Sequence, residues 1–257
     1  MKKILGLMLL SACFTSYAMA ADSTLDRVLD SKVLRVCTTG DYKPYTYKAE
    51  DGSYSGIDVD LAHSLAKSLN ADVQFVQTTW KNLMPDFLAG KCDIAMGGVS
   101  ISLPRQQQVT FSIPLDVDGK IPFVLCEKVE KYDTLEKLNQ KDVRAIEPAG
   151  GTNEAFVRQF MPNAQLELFH DNNTIFQNLV DGKADVMISD KSEILYQKKF
   201  YPSLCAVNPD HQLTFAEKGY MLPKGDMVWK DYVDQWLHIA KSNGEYNKIT
   251  ANWLSGQ

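Results

Sequence analysis

The 257-residue sequence has no CxxC pair, only four histidines (63, 170, 211 and 238) scattered along it, and no Cys/His spacing of the kind that holds zinc; no metal site is expected from it. It has no GxSxG, no Walker A loop and no HExxH, so the signatures of an α/β-hydrolase nucleophile, a P-loop and a zincin are missing. There is no surplus of basic charge: 27 basic side chains face 32 acidic ones, for a net charge of −5. That argues against nucleic acid as a partner, because phosphate binding leaves a basic footprint. No solenoid-period repeat and no long linker interrupt the chain, and beyond its first residues no apolar run is long enough to span a bilayer. What is present is ordinary for a globular protein, 45% hydrophobic and 23% charged, in a length suited to one large or two small domains.

The N-terminus reads as a signal peptide. Met1-Lys2-Lys3 is a short positive segment, Ile4 to Phe14 an apolar run, and Ala18-Met19-Ala20 supplies small residues before a cleavage point. The run is too short for a membrane span. Residues 1–20 are therefore expected to be removed, taking Lys2, Lys3 and no acid with them, and the product is expected to be periplasmic and not inserted in the membrane. Export places Cys37, Cys92, Cys126 and Cys205 where disulfides can form, with three complete pairings possible. Cys37 and Cys92 lie in or beside apolar strand-like runs and read as buried free thiols. If any pair is bridged, the expectation is Cys126 with Cys205.

Short β-like runs alternate with helical patterns, the mark of α/β layers. Val33 to Val36, Val73 to Val76 and Ile94 to Met96 read as strands in the first half, with a helix from Asp60 to Leu69 carried by Leu61, Leu65 and Leu69. A second set follows Phe123-Val124-Leu125, with strands at Val143 to Ile146, Leu166 to Phe169 and Val186 to Ile188. Gly90-Lys91-Cys92-Asp93 and Gly182-Lys183-Ala184-Asp185 repeat one helix-to-strand device, one copy per half, which suggests two similar lobes. From Met227 to Leu254 the chain reads as helical, with Tyr232, Trp236 and Ile239 on a packing face.

Polar and aromatic residues gather at the strand-to-helix turns, where open α/β sheets bind ligands. Gly40 to Tyr45 follows the first strand, Gly97 to Ser102 with Arg105 follows the strand at Ile94, Gly150 to Asn153 opens a helix, and Asp190 to Glu193 follows the strand at Val186. The runs Gly56-Ile57-Asp58-Val59-Asp60, Gly98-Val99-Ser100-Ile101-Ser102 with Arg105, and Phe111-Ser112-Ile113-Pro114 resemble those of the periplasmic amino-acid-binding proteins of ABC importers. The resemblance implies an α/β fold of two lobes joined by two hinge strands, with the ligand in the cleft between them. It divides the chain into lobe 1 (21–119 and 208–257) and lobe 2 (120–207). It also implies that Arg105 forks onto a ligand carboxylate and that Gly98, Ser100, Thr152 and Asn153 supply donors around that group. Asp190 would take an α-amino group, and Tyr42 and Trp80 would wall the ligand's side chain. Thr39 stands where binders of cationic amino acids carry an acid, which disfavours a cationic side chain in the ligand.

A second resemblance is more specific. Thr38-Thr39-Gly40-Asp41-Tyr42-Lys43-Pro44, Gly150-Gly151-Thr152-Asn153-Glu154, Phe215-Ala216-Glu217-Lys218 and Asp234 to Ala240 are similar to runs of the exported cyclohexadienyl dehydratases, enzymes on the binding-protein fold. That family converts prephenate to phenylpyruvate, or L-arogenate to L-phenylalanine, without a cofactor, and it carries a general-acid Glu where this chain has Glu193. The resemblance implies a buried Glu193 with a raised pKa, with Lys120 steering the anionic substrate. Glu147-Pro148-Ala149 departs from the family's apolar-Asn-Pro run. Asp190-x-x-Glu193 is also the spacing of a helix capping box, and the alternative function is a non-catalytic receptor serving an ABC permease.

Overall fold

The alternating pattern folds into two five-stranded sheets, each covered by helices, in a computed structural model that describes residues 23–254. The expected signal peptide, residues 1–20, lies outside the described residues. The strands of the two sheets, in chain order, are β1 (Val33–Thr38), β2 (Asp72–Gln77), β3 (Ile94–Ala95), β4 (Thr110–Phe111), β5 (Lys120–Leu125), β6 (Arg144–Pro148), β7 (Gln165–Phe169), β8 (Val186–Asp190), β9 (Leu204–Ala206) and β10 (Met221–Leu222). The first sheet runs β2-β1-β3-β10-β4 and the second β7-β6-β8-β5-β9. In each, three parallel strands come first and two antiparallel pairings complete the sheet. The chain passes between the sheets twice, and the two passages meet in a short antiparallel pair, Val117–Asp118 with Ala216–Glu217. The architecture is a two-lobed α/β fold. Among the described residues no helix is long and apolar enough to cross a membrane.

Each lobe closes on its own apolar core. Leu34, Val36, Leu61, Leu65, Trp229 and Leu237 pack in the first, and Val124, Val143, Ala145, Phe156, Val186 and Ile188 in the second. The helix Met227–Ser242 buries Trp229, Val233, Trp236, Leu237 and Ala240. Ile239, expected on the packing face, is 51% exposed: the buried stripe steps by three and four from Trp229, and position 239 falls outside it.

The sequence echo has a structural counterpart. In the first lobe Arg35 Nη2 donates to Asp93 Oδ1 at 2.6 Å and its Nη1 to Gly90 O at 3.0 Å. In the second, Arg144 Nε donates to Asp185 Oδ2 at 2.9 Å and its Nη2 to Gly182 O at 2.9 Å. In both lobes the first parallel strand thus clips the turn that leads into its neighbour.

All four cysteines among the described residues are bridged in pairs. Cys126–Cys205 joins the adjacent β5 and β9 ends, with Cα atoms 4.7 Å apart. Cys37 and Cys92, read from sequence as free thiols, form a second disulfide with Cα atoms 5.6 Å apart. The parallel pairing of Cys37 with Ala95 carries the turn before β3 alongside β1, a long-range proximity that an apolar run does not announce. The bridges close loops of 55 and 79 residues, and disulfides over loops of such length typically contribute about 2–4 kcal/mol each. Replacing either pair by alanine is expected to lower stability by that amount in urea unfolding. Unchanged midpoints in both double variants would show that the bridges do not hold the lobes.

Candidate active site

The cleft is built at the carboxyl ends of strands from both sheets. From the first lobe come Tyr42, in the segment after β1, Trp80 after β2, and the turn Gly97-Gly98 that leads from β3 to Ser100 and Arg105. That turn is pinned from below: Asp58 Oδ2 accepts from Gly97 N at 2.8 Å and Gly98 N at 2.6 Å, and Asp58 Oδ1 accepts from the Tyr220 hydroxyl at 2.9 Å. Burial lifts the Asp58 carboxyl to about 6 against these bonds. Gly98 lies at φ +69°, and a Cβ there would stand 2.6 Å from the Tyr42 ring, so glycine lets the turn lie flat under the aromatic wall.

From the second lobe, Gly151 N-caps the helix Thr152–Phe160, and β8 ends on Asp190 at the N-cap of the helix Lys191–Gln197. The β5/β8 register sets Lys120 directly opposite Asp190, so the two side chains share one face of the sheet. Together these elements form one cleft lined by Tyr42, Trp80, Gly98, Ser100, Arg105, Pro148, Gly151, Thr152, Asn153 and Asp190.

Eight of the eleven residues singled out from sequence line that space. Lys120, Thr39 and Glu193 do not. Lys120 stands one layer behind, donating to Thr152 Oγ1 at 2.9 Å and to Asn153 Oδ1. Thr39 is buried, and its hydroxyl has no hydrogen-bond partner. Glu193 is wholly buried behind Asp190 and Asn153. One Glu193 oxygen accepts from Asn172 Nδ2 at 2.9 Å and the other from the Ser189 hydroxyl, which in turn accepts from Asn153 Nδ2 at 3.1 Å. The capping-box geometry is absent: Asp190 makes no side-chain cap bond.

Sequence reasoning missed Lys218. Its side chain is fully buried, and the ammonium donates to the Tyr42 hydroxyl at 3.2 Å, to Ser100 Oγ at 3.2 Å and to Asp190 Oδ2. Asp190 is therefore gripped from both lobes. Oδ2 also accepts from the Tyr42 hydroxyl at 2.6 Å, and Oδ1 lies 2.8 Å from Lys120 Nζ as an ion pair without hydrogen-bond alignment. Lys218 is the last residue of the run Phe215-Ala216-Glu217-Lys218, but a lone lysine reads as a surface residue; the bridge of Ser100 with Lys218 and the bonds of Ile101 N to Glu217 O and Gly219 N to Val99 O carry it to the cleft.

The electrostatics follow from this layering. Burial would raise the Asp190 carboxyl, but Lys120 and Lys218 overcome it and hold it well below the ordinary carboxylate range. Burial pushes Glu193 up to about 8, opposed by the Ser189 bond and reinforced by the charge of Asp190. Arg105 is lowered by burial to about 10 and stays charged at neutral pH, with Nη1 anchored on Ser100 O at 2.7 Å. Glu147 is wholly buried behind the site and pushed well above its ordinary value by burial; Ile188 N donates to its Oε1 at 2.6 Å. Among the described residues no cluster of His, Cys, Asp and Glu is placed to hold a metal.

The whole arrangement, from the strand following residue 33 to the last helix, matches the sequence signature of the bacterial extracellular solute-binding proteins, family 3, over residues 34–256. The chain belongs to that family. Within it, the chain is 51% identical over 235 residues to the cyclohexadienyl dehydratase of Pseudomonas aeruginosa, covering 91% of this chain and 87% of that one. It is 28% identical to a probable histidine-binding protein of Neisseria gonorrhoeae, covering 96% of this chain and 91% of that one. Among solved family 3 folds, an ancestral amino-acid-binding protein described as a precursor of cyclohexadienyl dehydratase superposes with a TM-score of 0.84 at 36% identity, covering 90% of this chain and all of that one. An ancestral cyclohexadienyl dehydratase is 47% identical with a TM-score of 0.58, covering 93% of this chain and 99% of that one.

The lobes meet across the cleft. Asn172 Nδ2 reaches Asp41 O at 3.0 Å, and a Cβ on Gly150 would stand 2.4 Å from Lys81 Cα, at φ +88°. Gly150→Ala is therefore expected to hold the lobes apart and raise the KM of this protein for its substrate at least tenfold, with a smaller effect on the unfolding midpoint. An unchanged KM would show that the Gly150–Lys81 approach is not needed for binding.

Proposed function

We propose that this chain is a periplasmic cyclohexadienyl dehydratase, a carbon–oxygen lyase that needs no cofactor and acts on prephenate or L-arogenate in the interlobe cleft. The observation that carries this reading is Glu193, a carboxyl kept protonated up to about pH 8 by burial, one layer behind a cleft with three cationic side chains. An elimination that releases water needs a proton donor of this kind. The 51% identity to a dehydratase over most of both chains supports the same reading.

In the proposed reaction Arg105 forks onto a substrate carboxylate and Trp80 and Tyr42 face the ring. Glu193 turns from Ser189 and Asn172 toward the cavity and gives its proton to the C4 hydroxyl. The C4–O bond breaks to release water, the bond from C1 to its carboxylate breaks to release carbon dioxide, and that electron pair completes the aromatic ring. Glu193 is left as a carboxylate and regains a proton from solvent. Aromatisation drives the step, so one placed acid worth about 10²–10⁴-fold and a rigid pocket are the protein's contribution.

The test is incubation of purified protein with prephenate and with L-arogenate, following phenylpyruvate and phenylalanine. Turnover of either is expected. Absence of turnover with both, together with tight binding of an amino acid, would replace the enzyme with a receptor for an ABC permease, the role suggested by the histidine-binding relative.

A further inference from the structure

We infer that Asp118, in the first passage between the lobes, is a positioning residue for the general acid: it supplies the helix cap that Asp190 does not, and so fixes the turn that carries Glu193. The inference rests on the dehydratase reading above and adds to it a residue outside the cavity wall. The first N–H groups of a helix have no partner within it, and the N-cap side chain ordinarily takes the second or third of them. At the helix Lys191–Gln197 the N-cap is Asp190, which makes no side-chain cap bond. Its carboxylate is held instead by Lys218, Lys120 and Tyr42. Asp118 takes over the cap. Its Oδ1 accepts from Ser192 N at 3.3 Å and its Oδ2 from the Ser192 hydroxyl at 2.5 Å, while Lys191 N donates to Gly119 O at 2.9 Å. The first two donors of the helix are thus met by residues 118 and 119, and Glu193 is the next residue along.

This cap is built into both passages. Asp118 pairs with Ala216 in the short antiparallel pair, and Lys218 directly follows that pair's second strand. The Lys218 ammonium bonds Asp190 and lies 3.8 Å from Asp118 Oδ2 as an ion pair. One cation therefore holds both the carboxylate at the start of the helix and the carboxylate that caps it. Asp118, Lys218, Asp190 and Glu193 are each at most 5% exposed. Without the Asp118 carboxylate, Ser192 N and its hydroxyl must turn to water, and water drawn to that turn arrives beside Glu193. The charges that face Glu193 are those of Asp190, Asp41 and Glu147, and burial is the main reason its carboxyl keeps a proton. A hydrated turn lowers Glu193 toward its ordinary value, and a catalytic group displaced by about 1 Å can cost about 10²-fold.

The experiment follows the Glu193 carboxyl by carbon-13 NMR, its signal assigned by its loss in Glu193→Gln, in the wild type, Asp118→Asn and Asp118→Ala. The kcat for prephenate and the affinity for phenylpyruvate are measured beside it. Asn keeps an acceptor for Ser192 N and Gly119 N and can donate its amide to the Ser192 hydroxyl, so it removes the charge and keeps the cap. Ala removes both. Asp118→Ala is expected to lower the Glu193 titration midpoint by about one pH unit or more and kcat by about tenfold or more, with the affinity for phenylpyruvate little changed. Asp118→Asn is expected to restore most of both losses. An unmoved midpoint or unchanged kcat in Asp118→Ala, a loss confined to affinity, or equal effects of Asn and Ala would overturn the inference and leave Asp118 as a counter-ion of Lys218. If the wild type turns over neither prephenate nor L-arogenate, the dehydratase reading fails and the Glu193 midpoints alone decide the inference. If Asp118→Ala does not fold, Ser192→Ala, which removes the capped hydroxyl from the helix side, is read in its place: a lowered midpoint supports the cap and an unmoved one overturns it.

Discussion

Glu193→Gln is expected to lower kcat for prephenate by about 10²–10⁴-fold, the usual worth of a general acid, while the affinity for phenylpyruvate changes by no more than a few-fold. The substitution is chosen to be silent in packing. A Gln carbonyl can still accept from Asn172 Nδ2, and its amide can meet Ser189 Oγ with the direction of that bond reversed, the amide donating. What disappears is the transferable proton. A drop in affinity with unchanged kcat would assign Glu193 to positioning Asn172 and Ser189 instead. The pH profile is a second readout. With its pKa raised to about 8, Glu193 carries the proton below that value, and wild-type kcat should fall as pH rises through it. Stability has the same sign. In the unfolded chain a Glu titrates near about 4.3, so between that value and about 8 the native state binds the extra proton, and its contribution to stability is lost as pH rises. Glu193→Gln should flatten that slope, which urea midpoints at pH 5 and pH 8.5 would show.

Most of the wall of this site could be read before the fold was known, because the residues that line it sit at strand-to-helix turns, where local sequence signals are strong. Arg105, Ser100, Thr152, Asn153 and Asp190 each lie by a turn, a glycine or a helix start, and the family resemblance assigned their roles. What stayed hidden was the layer behind the wall. Lys218 meets Asp190 only because Tyr42, Ser100 and β8 converge from three distant parts of the chain. The partners of Glu193 depend on Asn172 and Ser189, one in a loop that reads as surface and one mid-strand. The Cys37–Cys92 bridge has the same cause as the missed lysine. Register between parallel strands is set by side-chain packing across the sheet, and neither strand alone encodes it. The capping-box spacing of Asp190 and Glu193 shows the converse error: a local motif is satisfied in sequence, but two buried lysines draw the Asp190 carboxylate away from its cap.

Asp190→Asn is expected to cost about 3–5 kcal/mol of stability at pH 7, the penalty for leaving buried charge without its counter-ion. The carboxylate neutralises an ammonium from each lobe, so the loss should fall on the contact between lobes as well as on the second sheet. Burial already lowers the Lys120 ammonium, and Asp190 is the first influence that restores it; without the carboxylate Lys120 should fall further. Between that lowered value and about 10.4 the unfolded chain would hold the extra proton, so the stability of Asp190→Asn should rise with pH, where an ordinary surface substitution would track the wild type. At the acid end it is the wild type that carries the dependence. Asp190 is held well below its ordinary range, so its stabilisation is present above about pH 4 and is lost as pH falls below it. The gap between wild type and Asp190→Asn should therefore narrow on acidification. Adding Lys218→Met removes one of the stranded cations and should recover part of the loss, making the double variant more stable than Asp190→Asn alone. Strict additivity in this double-mutant cycle would mean that Asp190 and Lys218 do not interact energetically. A coupling above about 1 kcal/mol would show that the carboxylate is committed to the ammonium of Lys218 across the cleft.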